Sequence, residues 1–227
     1  MSGSIVAILY LVSALLFIFA LRGLSHPESS RRGNIFGIIG MVIAVITTLM
    51  FKTVLSYYEI GAAIILGGMI GTFIALRIEM TALPQLVAAF HSLVGLAAVF
   101  VAGAAFYDPA SFNIGKFGSI PTSSLIEMSI GTFIGALTFS GSILAFGKLQ
   151  GIISGKPIVF KFQHLINALI FIFIIFLIFL LVFNQSPSIF WTIVIISILL
   201  GFLVVIPIGG ADMPVVISML NSYSGWA

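Results

Sequence analysis

Cysteine is absent from the 227 residues, and charged side chains make up only 7% of them. Without cysteine there is no disulfide and no thiolate metal site. Charge this sparse excludes a soluble domain, in which about 25% of residues are charged. The basic residues exceed the acidic ones by a formal +3. That excess is no sign of a nucleic-acid partner, because the basic residues sit in short loops between apolar runs. The sequence also lacks a phosphate-cradling glycine loop, a metal-spaced His/Cys/Asp cluster and a nucleophile paired with a base. Nothing in it binds a nucleotide or performs covalent chemistry alone.

What the sequence has in quantity is hydrophobicity, at 61% apolar residues and a mean hydropathy of +1.31. The apolar residues fall in runs of roughly 18 or more, enough to cross a hydrocarbon core at about 1.5 Å per residue. The fold class that follows is all-α, a polytopic helical membrane bundle in one domain. The pattern predicts spans at 4–21, 34–51, 57–76, 82–106, 124–146, 164–183 and 189–206, and the start of another at 209–227. The first run is too long for a signal-peptide core and lacks a preceding basic region, so it reads as a retained span.

Charge orients the bundle. With the N-terminus outside, the loops on the cytoplasmic side hold Arg22, Arg31, Arg32, Arg77, Lys148, Lys156 and Lys161, against Lys52 and Lys116 opposite. This is the positive-inside pattern. The chain then finishes outside at Gly225-Trp226-Ala227, with no loop, polar tail or flanking charge. Such an ending implies a cut through a longer polypeptide, with at least one more span and a soluble domain beyond it.

Small residues mark two spans: Gly67, Gly71 and Ala75 in the third, and Gly131, Gly135 and Ala136 in the fifth. Small residues at this spacing let helix backbones approach closely in lipid. The sixth run is nearly all Ile, Leu and Phe, which predicts a lipid-facing helix.

His91 is the leading candidate for chemistry. It lies about 12–14 Å into the fourth span, measured from Ala82 at about 1.5 Å per residue. An ionisable side chain at that depth is costly and marks a functional site by default. Histidine also gains and loses a proton near neutrality. Its plainer role is a neutral imidazole holding helices together. Asp212 follows the Pro207–Gly209–Gly210 break and precedes Pro214, so it serves as a helix N-cap or as a functional hinge. Asn221 lies in an apolar run with Ser218 and Ser222 at helical spacing, fit to orient water or a histidine, or to act as interhelical glue. Thr138 and Ser142, four apart in the fifth span beside Ser140, make a weaker version of the same case. His26, His164 and Glu127 read as loop or boundary residues.

Four stretches carry a family resemblance: the N-terminal MSGSIVAILYLVSALLFIFALRGLSHPESSRRGN, the EMTxxPxLVAxxHSxVGLAAV pattern over 79–99, GTFIGALTFSGSILAFGKL over 131–149, and GGADMPVVISMLNSYSGWA over 209–227. Together they resemble the membrane domain of the beta subunit of proton-translocating NAD(P) transhydrogenase, essentially over the whole chain. The resemblance implies an enzyme complex of the cell inner membrane that couples hydride transfer between NADH and NADP+ to proton movement. This multi-pass chain would be its membrane part, not catalytic alone. The resemblance further implies nine membrane helices in the subunit, with NADP(H) on a C-terminal domain and NAD(H) on the alpha subunit. No cofactor would be bound by this chain, and the complex would be a dimer in the lipid bilayer. The family's membrane histidine falls on His91, and its motif aspartate and asparagine fall on Asp212 and Asn221. One departure is visible, for the family pattern has a carboxylate between the EMT and the histidine where this chain has Ala82 and Gln85.

The mechanism expected from this is that His91 takes up a proton from one side and releases it to the other. Asn221 and the fifth-span hydroxyls would complete a hydrogen-bonded path, and the Asp212 segment would transmit the protonation state to the NADP(H) domain. Two other classes of function fit the composition equally: an inert membrane scaffold or assembly module, and a stand-alone small-solute transporter.

Overall fold

The computed structural model describes residues 3–50 and 56–225. The described residues are all helical or loop, with no strand: α1 Gly3–Leu24, α2 Ser30–Leu49, α3 Tyr57–Arg77, α4 Leu83–Tyr107, α5 Thr122–Leu149, α6 Gln163–Asn184, α7 Pro187–Val205 and α8 Met213–Ser224. Seven of them, α1 to α7, are long and apolar enough to cross a membrane. Phe51 at the end of the predicted second span, the cation Lys52, and Trp226 and Ala227 lie outside the described residues.

The predicted eighth run is interrupted. A 3-10 turn over Gly210–Asp212 precedes α8, which is 12 residues long. At about 1.5 Å per residue the described part of α8 falls short of a full crossing. Pro214 sets this start, since proline in the first helical turn lacks only an amide that would have had no partner there.

The chain divides into two compact units, 1–73 and 74–227, with the boundary inside α3. In the first unit α1 and α2 form a close hairpin. A Cβ on Gly23 would lie 2.6 Å from the Gly33 Cα, so neither position admits a side chain. Lower in the pair the Ser13 hydroxyl donates to the Gly40 carbonyl at 2.7 Å, and Tyr10 and Thr48 share a 2.9 Å hydrogen bond.

In the second unit α5 is the central helix, with α4, α6, α7 and α8 against it. It is the most buried of the candidate spans and has the lowest hydropathy of them, 1.6 against 3.3 for the peripheral α6. In lipid this is the expected sorting, since small and hydroxylated residues pack helix against helix while Leu, Ile and Phe face the acyl chains. Accordingly α6 buries only the stripe Ile174, Leu177 and Leu181. Gly95 of α4 and Gly135 of α5 face each other, and a Cβ on either would stand within 2.8 Å of the other's carbonyl oxygen. The α3 glycines differ, for a Cβ on Gly61, Gly67, Gly68 or Gly71 meets nothing within 4 Å.

At one end of this unit Phe106 stacks on Phe190 at 5.0 Å. There the Gln185 amide pairs with the backbone N–H and carbonyl of Ile120, at 3.0 and 3.1 Å, tying the α6–α7 turn to the loop before α5. At the other end the loop after α5 binds the loop after α7, through Gly210 N–H to the Gly155 carbonyl at 2.8 Å and Ile158 N–H to Ile206 at 3.3 Å. The helices of the unit therefore alternate in direction.

Lys148 departs from the expectation of a basic loop. It is buried inside the last turn of α5, and its ammonium donates at 2.6 Å to each of the Ile206 and Ile208 carbonyls. The helix runs on past Phe146 to Leu149, and Lys148 there serves carbonyls that lack an intrahelical donor where α7 ends.

Candidate functional site

His91 sits where α4, α5 and α8 meet. It is 6% exposed, and its Nε2 is buried without a hydrogen-bond partner. The backbone of Leu220 in α8 is close to the ring. Its local setting follows from α4 packing antiparallel on α5. Gln85 at the start of α4 donates from Nε2 to the Leu149 carbonyl at 3.2 Å. Further along, Gly95 lies against Gly135 and Thr138. Between these two fixed points the register sets His91 level with Gly141 and Ser142. Gly141 in turn is where Leu220 presses on α5, with a leucine methyl 3.2 Å from a Cβ built there. Ala88 and Ala145 are fully buried in the same apolar cluster as Met213, Val216 and Leu220.

The hydroxyls of α5 divide into two groups. Ser129 and Ser140 donate back to carbonyls of their own helix, at 2.6 and 3.1 Å. Thr132, Thr138 and Ser142 are buried with no partner for their hydroxyl oxygens. Such groups are costly to leave unsatisfied. Thr138 and Ser142 are one turn apart, and Thr138 faces α4 across Gly95, one turn from His91. The structure thus gathers His91, Thr138 and Ser142 along the α4–α5 seam, with free hydrogen-bonding capacity on all three. Ser92, next to His91, spends its hydroxyl on the Ala89 carbonyl at 2.7 Å.

The structure does not bring Asn221 to His91. The buried face of α8 is Met213, Val216, Ile217 and Leu220, while Ser218, Asn221 and Ser222 are exposed. Helical spacing aligned those three correctly, but they lie on the face turned away from α5. Asp212 occupies the N-cap position of α8 without a side-chain capping hydrogen bond. It is exposed, and its carboxylate folds back toward Gly209. Of its two sequence roles the simple cap is therefore not made here. His26 and His164 are exposed, as is Glu127, in keeping with loop and boundary positions.

Two residues in the neighbourhood escaped the sequence reading as participants. Lys148 holds the segment between α7 and Asp212, and the sequence carried no signal for its burial, since Gly151, with a φ of +72°, marks only where the helix ends. Thr132 is the third unpartnered hydroxyl of α5, and nothing in its sequence neighbourhood distinguishes it. Among the described residues no three His, Asp or Glu side chains are grouped as a metal site would need.

Comparison with known proteins bears on the family of the chain. Residues 6–227 match the family described as NAD(P) transhydrogenase beta subunit. Two curated relatives, both named NAD(P) transhydrogenase subunit beta and both from Rhodospirillum rubrum, one of them from strain ATCC 11170, are each 55% identical over all 227 residues. The alignment covers 100% of this chain and 49% of each relative, so the chain spans about half the length of the curated relatives it matches.

Proposed function

The chain belongs to the NAD(P) transhydrogenase beta-subunit family, and from that premise we propose that it is the membrane domain through which protons move, along a path centred on His91. In this reading proton movement is coupled to hydride transfer between NADH and NADP+. The reaction itself takes place on an NADP(H)-binding domain C-terminal to these helices and on the NAD(H) domain of an alpha subunit. The complex works as a dimer in the cell inner membrane. The chain binds neither nucleotide itself.

The observation that carries the reading is the unpartnered Nε2 of a buried histidine on the same seam as the unpartnered hydroxyls of Thr138 and Ser142. A proton carrier in an apolar span needs a group that titrates near neutrality and partners for both of its forms. It also needs a route in which hydroxyls or water relay the proton. The seam holds a histidine, and its free buried nitrogen and the free hydroxyl oxygens beside it are anchors for such a route. An imidazolium with no partner here would be expensive, so protonation favours a rearrangement of whatever packs on the ring. Leu220 of α8 packs there, and Asp212 stands at the start of α8. A shift of this helix is therefore the simplest way to carry His91's charge state to a nucleotide domain on the cytoplasmic side. Asn221, one residue from Leu220, would then be brought in by rotation of α8.

The test is reconstitution of the full subunit with its alpha subunit in proteoliposomes, following both acidification and hydride transfer. His91→Phe is expected to abolish coupled proton movement, at least a hundredfold, while the complex still assembles. Pumping at the normal rate in the variant would leave His91 as interhelical glue and return the scaffold reading to the front.

A further inference from the structure

The first unit, 1–73, carries a feature that the proton path does not use. Between the end of α1 and the start of α2 lies a depression of about 300 Å3 whose walls include Phe19, Arg22, His26, Arg32 and Phe36, with no acidic residue in its lining. The sequence separates Arg22 and Arg32 by ten positions, and the contact of Gly23 with Gly33 brings them to one rim. The Ser29 hydroxyl is turned into the loop, donating to the Gly23 carbonyl at 2.8 Å. That bond holds the turn, and Arg22, His26 and Arg32, exposed around the depression, are the ionisable residues of its lining. On the apolar side the Phe19 and Phe36 rings lie 6.2 Å apart, tilted by 52°. Both belong to the hydrophobic runs of their helices.

We propose that this pocket binds the phosphate of an anionic phospholipid, with Arg22, Arg32 and His26 on the headgroup and the two rings against the first carbons of its acyl chains. Arginine forks fit phosphate oxygens two at a time. Basic pockets between membrane helices on the cytoplasmic side are the recurrent form of headgroup site, and the positive-inside orientation puts this loop on that side. The paired rings distinguish a lipid from free phosphate, which would have no use for an apolar wall. A zwitterionic lipid brings its own cation to a site already rich in cations, so a net negative headgroup is selected. Arg31 is the internal control, for it is in the same turn with the same charge but is not part of the pocket lining.

The experiment uses the two-subunit complex in mild detergent, exposed to vesicles of phosphatidylglycerol or of phosphatidylcholine, with retained lipid counted by native mass spectrometry. The wild type is expected to keep phosphatidylglycerol in preference to phosphatidylcholine. The double variant Arg22→Gln/Arg32→Gln should hold it at least about tenfold more weakly, while Arg31→Gln behaves as wild type. Equal retention in all three, or an equal loss in Arg31→Gln, would overturn the proposal in favour of diffuse surface charge. Displacement of the lipid by millimolar inorganic phosphate would overturn the lipid as the occupant. A photoreactive phosphatidylglycerol on the wild-type complex gives a reading independent of how the variants fold. Its crosslinks are expected on peptides spanning 19–36, and crosslinks confined to other helices would sink the idea.

Discussion

Lys148 shows how much one side chain decides at one end of the bundle. Its ammonium satisfies two carbonyls that the end of α7 leaves without donors, and so fixes the segment from Ile206 to Ile208 just ahead of Asp212. Replacing it with Met keeps the aliphatic stem but leaves the Ile208 carbonyl without a donor and the Ile206 carbonyl with only the Ile158 N–H at 3.3 Å. Buried acceptors without donors cost about 1–3 kcal/mol. Lys148→Met is thus expected to lower the thermal midpoint of the purified complex and to speed proteolysis of the 150–162 loop, with Lys148→Arg restoring much of both. Unchanged midpoint and proteolysis in the Met variant would mean that the backbone pairs Gly155–Gly210 and Ile158–Ile206 hold the segment unaided. At this same scale the sequence singled out His91, an ionisable residue amid an apolar run, and the structure buries it. The sequence was not legible for Lys148, since a lysine near the end of a span looks the same whether it snorkels outward or turns inward to carbonyls. Asn221 was half legible. Periodicity aligned it with Ser218 and Ser222, but which face of α8 packs depends on the greater apolar area of Met213, Val216, Ile217 and Leu220.

Among the elements, α3 and α5 carry the same Gly-Thr-Phe-Ile string and similar small-residue spacing, yet only α5 uses it inside this chain. The pattern reports that a helix can be approached closely, and a single sequence does not say by what. In α5 the approach is by α4, where Gly135 meets the Gly95 carbonyl and the Ala98 side chain, at 2.8 and 3.0 Å from a Cβ built on it. Gly135→Val is therefore expected to force the helices apart, with overpacking of about 1–3 kcal/mol or more, and to disturb the seam that holds Thr138 and His91. Gly67→Val, in a helix none of whose residues is buried, is expected to leave the detergent-purified chain's thermal midpoint within a degree or two. A comparable fall in both would mean that α3 is packed against the rest of the chain in solution. Span positions themselves were legible to within a few residues, because length and hydropathy are set by the bilayer rather than by tertiary partners.

For the whole molecule, which way the bundle faces is an expectation that rests on charge alone. The structure adds an internal check within the second unit. The loops after α5 and α7 are hydrogen-bonded to each other, and the loop before α5 is bonded to the α6–α7 turn, so cations at Lys148, Lys156 and Lys161 belong to one end and Lys116 to the other. The absence of cysteine from these 227 residues makes that arrangement directly readable, since an introduced thiol is the only one among them. Ser119→Cys and Ser154→Cys place a thiol at exposed positions in the two opposite loops. With the N-terminus outside, an impermeant maleimide is expected to label Ser119→Cys in intact cells stripped of their outer wall. Ser154→Cys should then be labelled only after the membrane is broken. The reverse pattern would turn the molecule over and move Arg22 and Arg32 away from the cytoplasmic leaflet. Labelling as expected fixes the side on which Lys148 and Asp212 lie, and makes α8 the element that runs from that side toward His91.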